Sequence, residues 1–503
     1  MGTDIKGVAI IGTGFSGLAM AIRLKKAGLE DFVILEQSND VGGTWRDNTY
    51  PGAACDVPSH VYSFSFEPNP HWTSKFSPQK EILRYLQHCA EKYGLRPFIR
   101  FGSRVQEARY DSESGLWTLS IEGREPLICR QFVLASGGLS RPSYPKIPGI
   151  DTFKGALFHS ARWNHSFPLD KSRVGVIGTG ASSIQIVPAI APQVGKLSLF
   201  QRTPAWIMPK PERRYTNFEK ILFERFALAR YLARKILYWQ FELKAIGLLK
   251  PILMRIPEKD AKAFIDREIE SPELRAKLTP SYTMGCKRVL LSNEFYKALN
   301  RENVEVVGEG IERITERGIV TRDGREHILD AIICATGFQV TEHSAPFPIH
   351  GSEGRELSKQ WSEGAEGYLG VSITGFPNLF TIVGPNSGLG HNSIVFMIEA
   401  QVNYILKAIQ FTKQKNVKSI EVKPEVQDRY NKDLSKRFTN TVWSVGKCDS
   451  WYKTASGKNT TIFPGFSFEL RMKTRRFHAF AYKVEFEGVS AKSRLQEKML
   501  RVG

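Results

Sequence analysis

Two glycine-rich runs have the residue types and spacing needed to hold a pyrophosphate: GTGFSG, with Gly12, Gly14 and Gly17, and GTGASS, with Gly178, Gly180 and Ser183. In such a run the first glycine allows a tight turn and the second lets backbone approach phosphate oxygens. The third position lets a helix pack close to its sheet, and the helix N-terminus favours the phosphate charge. Phe15 and Ser182 stand inside the two turns. Glu36 follows the first run 19 residues beyond Gly17, where an acid can hold ribose hydroxyls. The corresponding stretch after the second run ends in Gln201, Arg202 and Thr203 instead. A carboxylate there would repel a 2′-phosphate, whereas a guanidinium pairs with it, so the second site is built for NADPH. Two dinucleotide sites of this kind in one chain suggest a flavin, FAD, and a nicotinamide.

These residues need strands and helices to position them. Lys6 to Ile11 is a short apolar run suited to a strand, Leu18 to Ala27 has helical spacing and stops at Gly28, and DFVILE is a second strand ending in Glu36. The later unit repeats the plan: RVGVIG as a strand, SIQIVPAIAPQV as a helix despite Pro188 and Pro192, and KLSLFQRT as the next strand. Pro142, Pro145 and Pro148 mark an exit from the first unit, and DAIICATGF reads as a matching strand before the chain returns to it, with a helix from about Ser393. The expected fold class is α/β, with two Rossmann-like dinucleotide-binding domains, the second inserted in the first. The boundaries are an FAD-binding first part at 1–140, a linker at 141–172, an NADPH-binding domain at 173–335, and a second FAD-binding part with the C-terminal segment at 336–503. A helical sub-insertion occupies about 215–280.

Length and composition agree. At roughly 150 residues per domain, 503 residues make two to four domains, and 42% hydrophobic with 24% charged residues is a globular composition. The absence of a run of about 18 uncharged apolar residues, together with an N-terminus passing directly into a strand, points to a cytoplasmic protein. The six cysteines, at 55, 89, 129, 286, 334 and 448, form no C-x-x-C, so neither a disulfide framework nor a metal site is expected. Seventy basic against 51 acidic residues give a net charge of +19. That charge is spread along the chain without a nucleic-acid-binding motif, so phosphate-bearing cofactors and membrane surfaces fit it better than nucleic acid. The 217–256 stretch is aromatic and basic, with eight basic and three acidic residues. It suits either a helical lid packed on the core or a peripheral membrane contact.

Between the two glycine runs stands FKGALFHSARWN. Through Phe153, Gly155, His159 and Trp163 it resembles the fingerprint of flavin-containing monooxygenases of the Baeyer–Villiger type, departing from it only at Asn164. GGTW (Gly42, Gly43, Thr44, Trp45), YPGAACD (Tyr50 to Asp56), GCKR (Gly285 to Arg288), ATGF and the Ser450–Trp451 pair extend the resemblance in the family order over most of the chain. Ala54 stands where relatives often have arginine.

The resemblance implies an NADPH- and O2-dependent enzyme that converts a small apolar ketone to an ester or lactone through a C4a-peroxyflavin. It implies catalytic roles for Arg288, as a permanent cation, and Asp56, which orients it. Gly43, Thr44, Trp45, Asp56, Tyr62 and Val105 join the flavin-binding residues, and Lys287 and Trp451 join Arg202 and Thr203 at the nicotinamide nucleotide. His159 is expected to position one domain on the other. Three other activities compete: nitrogen or sulfur oxygenation, NADPH oxidation or reduction without oxygen transfer, and a membrane-recruited flavin scaffold.

Overall fold

The computed structural model describes residues 5–340 and 346–488. Chain order in the first sheet and its inserted neighbour runs β1 (Lys6–Ile11), β2 (Phe32–Leu35), β3 (Ile99–Arg100), β4 (Val105–Asp111), β5 (Leu116–Ile121), β6 (Arg124–Leu134), β7 (Ala156–His159), β8 (Arg173–Ile177) and β9 (Lys196–Phe200). It continues with β10 (Val304–Val307), β11 (Ala331–Cys334), β12 (Ile349–His350) and β13 (Leu379–Thr381).

The first sheet has the order β12-β4-β5-β6-β1-β2-β3, with β13 also pairing β6. β1 lies parallel to both β2 and β6, while β4, β5 and β6 form an antiparallel meander. The second sheet, β10-β9-β8-β11-β7, is parallel throughout. Its central strands β8 and β11 are buried almost throughout because both faces are covered. This is the expected α/β class with two Rossmann-like units.

The two units repeat one another at the strand ends. Gly12 N–H donates to Leu35 O at 2.9 Å and Ala135 N–H to Ile11 O at 3.1 Å; Gly178 N–H donates to Phe200 O at 3.0 Å and Ala335 N–H to Ile177 O at 2.9 Å. Gly12 and Gly178 have φ of +100° and +107°. A Cβ on either would lie within 3 Å of the carbonyl of Ala135 or Ala335, so only glycine fits both turns.

Helix α1 (Phe15–Lys26) starts three residues before the expected Leu18. Helix α2 (Ser183–Ile190) contains Pro188 but stops short of Pro192. In the helical insertion, α3 (Asn217–Arg225) opens on a capping box between Thr216 and Glu219, and α4 (Ala227–Leu249) follows after a break at Phe226. Helix α5 (Ile394–Gln414) is capped by Ser393 and packs against α1. It is long and apolar enough to cross a bilayer, yet most of it is buried, as in a core helix.

Two sequence readings need correction. The segment at 141–172, read as a linker, supplies β7, an edge strand of the second sheet, in register with β11 so that His159 lies opposite Cys334. A disulfide joins Cys286 to Cys448, against the reading that no cysteines pair. The partners stand 162 positions apart, so no local spacing announces them. The other four cysteines are free and buried.

Candidate functional site

Glu36 ends β2 beside the Gly12 turn and is buried. Its Oε2 accepts from the backbone N–H of Thr13 at 3.0 Å and from the Thr13 hydroxyl at 2.5 Å, and its Oε1 accepts from Ser38 N–H at 2.9 Å. Arg46 Nη1 is 3.2 Å from Oε1. Thr13 and Arg46 are therefore parts of this corner that spacing did not single out. Val105 turns its side chain into the core at the start of β4; two residues earlier, Ser103 N–H donates to Glu36 O at 2.8 Å.

The first turn is open where a pyrophosphate would lie. Gly14 caps α1 without a side-chain hydrogen bond, and the first helical turn has no acid, so its backbone N–H groups remain available to an anion. Gly43 approaches Gly14 so closely that a Cβ on it would sit 3.1 Å from Gly14 Cα. Thr44 and Trp45 open the short helix, Thr44–Asp47, that Gly43 caps. Trp45 Nε1–H donates to Tyr62 Oη at 3.1 Å, and the Tyr62 ring meets Phe15 edge-on at 5.1 Å. Burial pushes the Tyr62 hydroxyl far above its ordinary pKa. These residues fit FAD: a bare helix N-terminus, a glycine-lined gap, and an acid at the neighbouring strand end.

The second turn is built alike. Ser182 precedes α2 without a capping bond or first-turn acid, and a Cβ on Gly180 would meet nothing within 4 Å. Ser183 is fully buried, tucked into the helix packing where the first turn has Gly17. Thr203 lies across the turn, its carbonyl accepting from Thr179 Oγ1 at 3.0 Å. Arg202 is exposed at the end of β9. Lys287 stands near it: burial first, and then the Arg202 charge, lower its ammonium pKa, with Asp449 opposing. Two cations held together at a strand end fit a 2′-phosphate.

Arg288 grips Asp56 with two hydrogen bonds, Nε to Oδ2 and Nη2 to Oδ1, both 2.8 Å. The pair is largely but not fully shielded, at 32% and 24% side-chain exposure, so part of each side chain remains accessible. Burial works to raise the Asp56 pKa, but attraction to Arg288 and its hydrogen bonds outweigh burial and hold the carboxyl below 3.8. Asp56 in turn raises the Arg288 pKa further, so the guanidinium stays charged at any working pH.

Two neighbours were invisible in the sequence. Tyr452 is buried beside this pair, and burial pushes its hydroxyl up to about 12. Lys210 is a second cation acting on Asp56. Tyr452 follows Trp451 directly, and that adjacency was the available signal. Trp451 itself is about half exposed, its ring 4.5 Å from that of Tyr452. The Cys286–Cys448 bond ties the GCKR segment to the chain leading into Trp451. A short parallel pairing of Ile207–Met208 with Leu290–Leu291 seats the segments after Arg202 and Arg288 side by side.

The loop carrying Asp56 docks on the second unit. Gln185 of α2 accepts from Tyr50 Oη at 3.1 Å and Ala54 N–H at 3.3 Å, and donates to Ala54 O at 3.0 Å. Gln185 lies two residues past Ser183, inside the glycine-run helix, yet only the docking shows its role.

The fingerprint residues gather at the β7 edge. Gly155 packs under the Phe153 ring and against Asp330 O, where a Cβ would clash at 2.5 Å. Trp163 meets Phe158 edge-on at 5.2 Å. His159 is fully buried, accepts Ala161 N–H at Nδ1 (3.0 Å), and packs against Tyr144 and Phe338 at 5.5 and 5.7 Å. Burial lowers its pKa, with the Gly337 backbone opposing. Among the described residues no group of three or more His, Cys, Asp or Glu could hold a metal.

Comparison with known proteins gives the same picture. A family model described as flavin-binding monooxygenase-like matches residues 5–349. A Baeyer–Villiger monooxygenase of Pseudomonas aeruginosa is 47% identical over 488 residues, covering 97% of this chain and 93% of that protein. The crystal structure of OTEMO with FAD and NADP superposes with a TM-score of 0.87 at 28% identity, covering 95% of this chain and 99% of that one. Cyclohexanone monooxygenase from Rhodococcus sp. Phi1, bound to NADP+, gives 0.85 at 27% identity over 96% and 100% of the two chains.

Proposed function

The chain belongs to the flavin-binding monooxygenase-like family, and from that premise we propose that it inserts one oxygen atom beside the carbonyl of a small apolar ketone, giving an ester or lactone. It is an FAD-dependent NADPH monooxygenase. Bound FAD, reduced by NADPH, supplies the activation of O2. The observation that carries the ketone reading is the two-point grip of Arg288 on Asp56 at a partly open position.

Addition to a carbonyl places negative charge on oxygen, and a fixed cation stabilises it without reorganising. Arg288 is that cation. Asp56 positions it, keeping the guanidinium plane fixed by a charge-assisted fork. Gly14, Gly43 and the N-terminus of α1 would hold the FAD pyrophosphate, and Glu36 would take the ribose hydroxyls. Arg202, Thr203 and Lys287 would hold the NADPH phosphate, and the half-exposed Trp451 would contact the nucleotide. His159 sets the β7 edge against Phe338 while Trp163 packs on Phe158 behind it, and together they would position one unit on the other.

Small cyclic and open-chain ketones form the test panel, since one structural neighbour is a cyclohexanone monooxygenase. Ester, peroxide and NADPH are measured together in air. Ester matching NADPH consumed is the expected result. With sulfides and amines tested beside the ketones, sulfoxide or N-oxide with no ester from any ketone would replace the reading with heteroatom oxygenation, and peroxide equal to all NADPH consumed would make the protein an oxidase.

A further inference from the structure

Helix α4 is apolar on two faces but buried on only one. Its inner face turns Tyr238, Glu242, Ala245 and Leu248 into the protein. There Glu242 accepts from Asn392 Nδ2 at 2.6 Å and from Ser467 Oγ at 2.7 Å, which pins the helix to the FAD unit. The outer face carries Leu228, Leu232, Ile236, Trp239, Leu243 and Ile246, between 38% and 66% exposed. Steps of four, four, three, four and three residues place all six on one stripe. Scattered exposed apolar side chains are ordinary, but a continuous row of this length marks a contact surface.

Charge identifies the partner. The only acid within α4 is the buried Glu242, while Lys235 and Lys244 are exposed on it; of the residues just beyond its ends, Arg225, Lys250 and Arg255 are exposed cations and Glu224 is an exposed acid, so the balance stays basic. A second copy of the chain docked on this row would bring two basic rims together, which repel. An anionic lipid surface meets both features at once: apolar side chains enter the acyl boundary and the cations reach the headgroups. We propose that the outer face of α4 docks the protein on an anionic membrane surface, with the helix lying in the interface plane. The apolar row does not end with α4: the Phe468 ring lies 6.2 Å from that of Trp239, and Met472, one helical turn further on, is 70% exposed.

The test uses the full FAD-loaded chain and sedimentation with vesicles of phosphatidylethanolamine and phosphatidylglycerol, or of phosphatidylcholine alone. Binding to the anionic vesicles, weakened by salt, is expected, with little binding to the neutral ones. The double variant L232E/I236E should bind the anionic vesicles at least about tenfold more weakly, since it removes two apolar insertions and adds two like charges. K235Q/K244Q should weaken anionic binding while keeping the apolar row. FAD content and lipid-free NADPH oxidation, unchanged in both variants, show that the fold is intact. Equal binding of the wild type to both vesicle types, or to neither, overturns the proposal. So does a lipid-free dimer that L232E/I236E converts to monomer, because the row would then belong to a second copy.

Discussion

Arg288 and Asp56 stand 232 positions apart in the chain and meet in a two-point hydrogen-bonded grip, both contacts 2.8 Å. The grip ties the YPGAACD loop to the GCKR segment, and on the proposed function Arg288 is the cation at the developing oxyanion. Arg288→Ala should therefore keep FAD and still consume NADPH, but lose ester formation by about 10²- to 10³-fold, the usual cost of removing one preorganised group at a developing oxyanion. Asp56→Ala should slow both NADPH consumption and oxygenation, because it frees the guanidinium. Ester yield, peroxide and NADPH loss measured side by side check this. An Arg288→Ala protein making ester at near wild-type rate would place the anion elsewhere.

Arg202 and Lys287 predict coenzyme choice. Losing one charged phosphate contact is worth roughly 1.5 to 3 kcal/mol, so Arg202→Ala should raise the KM for NADPH by about 10- to 100-fold while leaving that for NADH nearly unchanged. Steady-state kinetics with both coenzymes decide it. An equal loss for both would remove the 2′-phosphate from this position.

Gln185 positions the Asp56 loop through three hydrogen bonds to Tyr50 and Ala54. Gln185→Leu leaves the Ala54 backbone groups short of partners, at a cost of about 1 to 3 kcal/mol. The expected outcome is a fall in kcat for ester with peroxide release rising, while FAD content holds. Gln185→Glu should restore part of the coupling, since a carboxylate still accepts from Tyr50 and Ala54. The melting temperature falls on either reading; a purely structural role would leave the ratio of peroxide to ester unmoved.

His60 sets an acid limit on stability. It is buried under the helical insertion, with the Phe223 and Tyr215 rings 4.5 and 5.4 Å away, and its Nε2 has no hydrogen-bond partner among the described residues. Burial first, then the Arg234 and Arg230 charges, lower its pKa to about 4, from an ordinary 6.5. The unfolded chain therefore takes up this proton before the folded one. Stability from this group is whole above pH 6.5 and is lost as pH falls toward 4, to a limit of about 3 kcal/mol. Melting temperatures across that window should drop more steeply for wild type than for His60→Phe, and parallel curves would assign the acid sensitivity to another group.

By itself the sequence determined the two dinucleotide turns, their flanking strands and helices, and the contrast between Glu36 and Arg202, because glycine turns and strand-end side chains are set by local backbone geometry and by charge within a few residues. It also carried the family resemblance through ordered motifs, among them the fingerprint from Phe153 to Trp163. Tertiary structure alone decided that Arg288 meets Asp56, that Tyr452 and Lys210 stand beside them, that Gln185 seats the Asp56 loop, and that Cys286 reaches Cys448. It also made the supposed linker an edge strand and split the faces of α4 between core and solvent. Each of these depends on contacts between segments far apart in the chain. No periodicity or spacing within one segment records which distant surface will bury it.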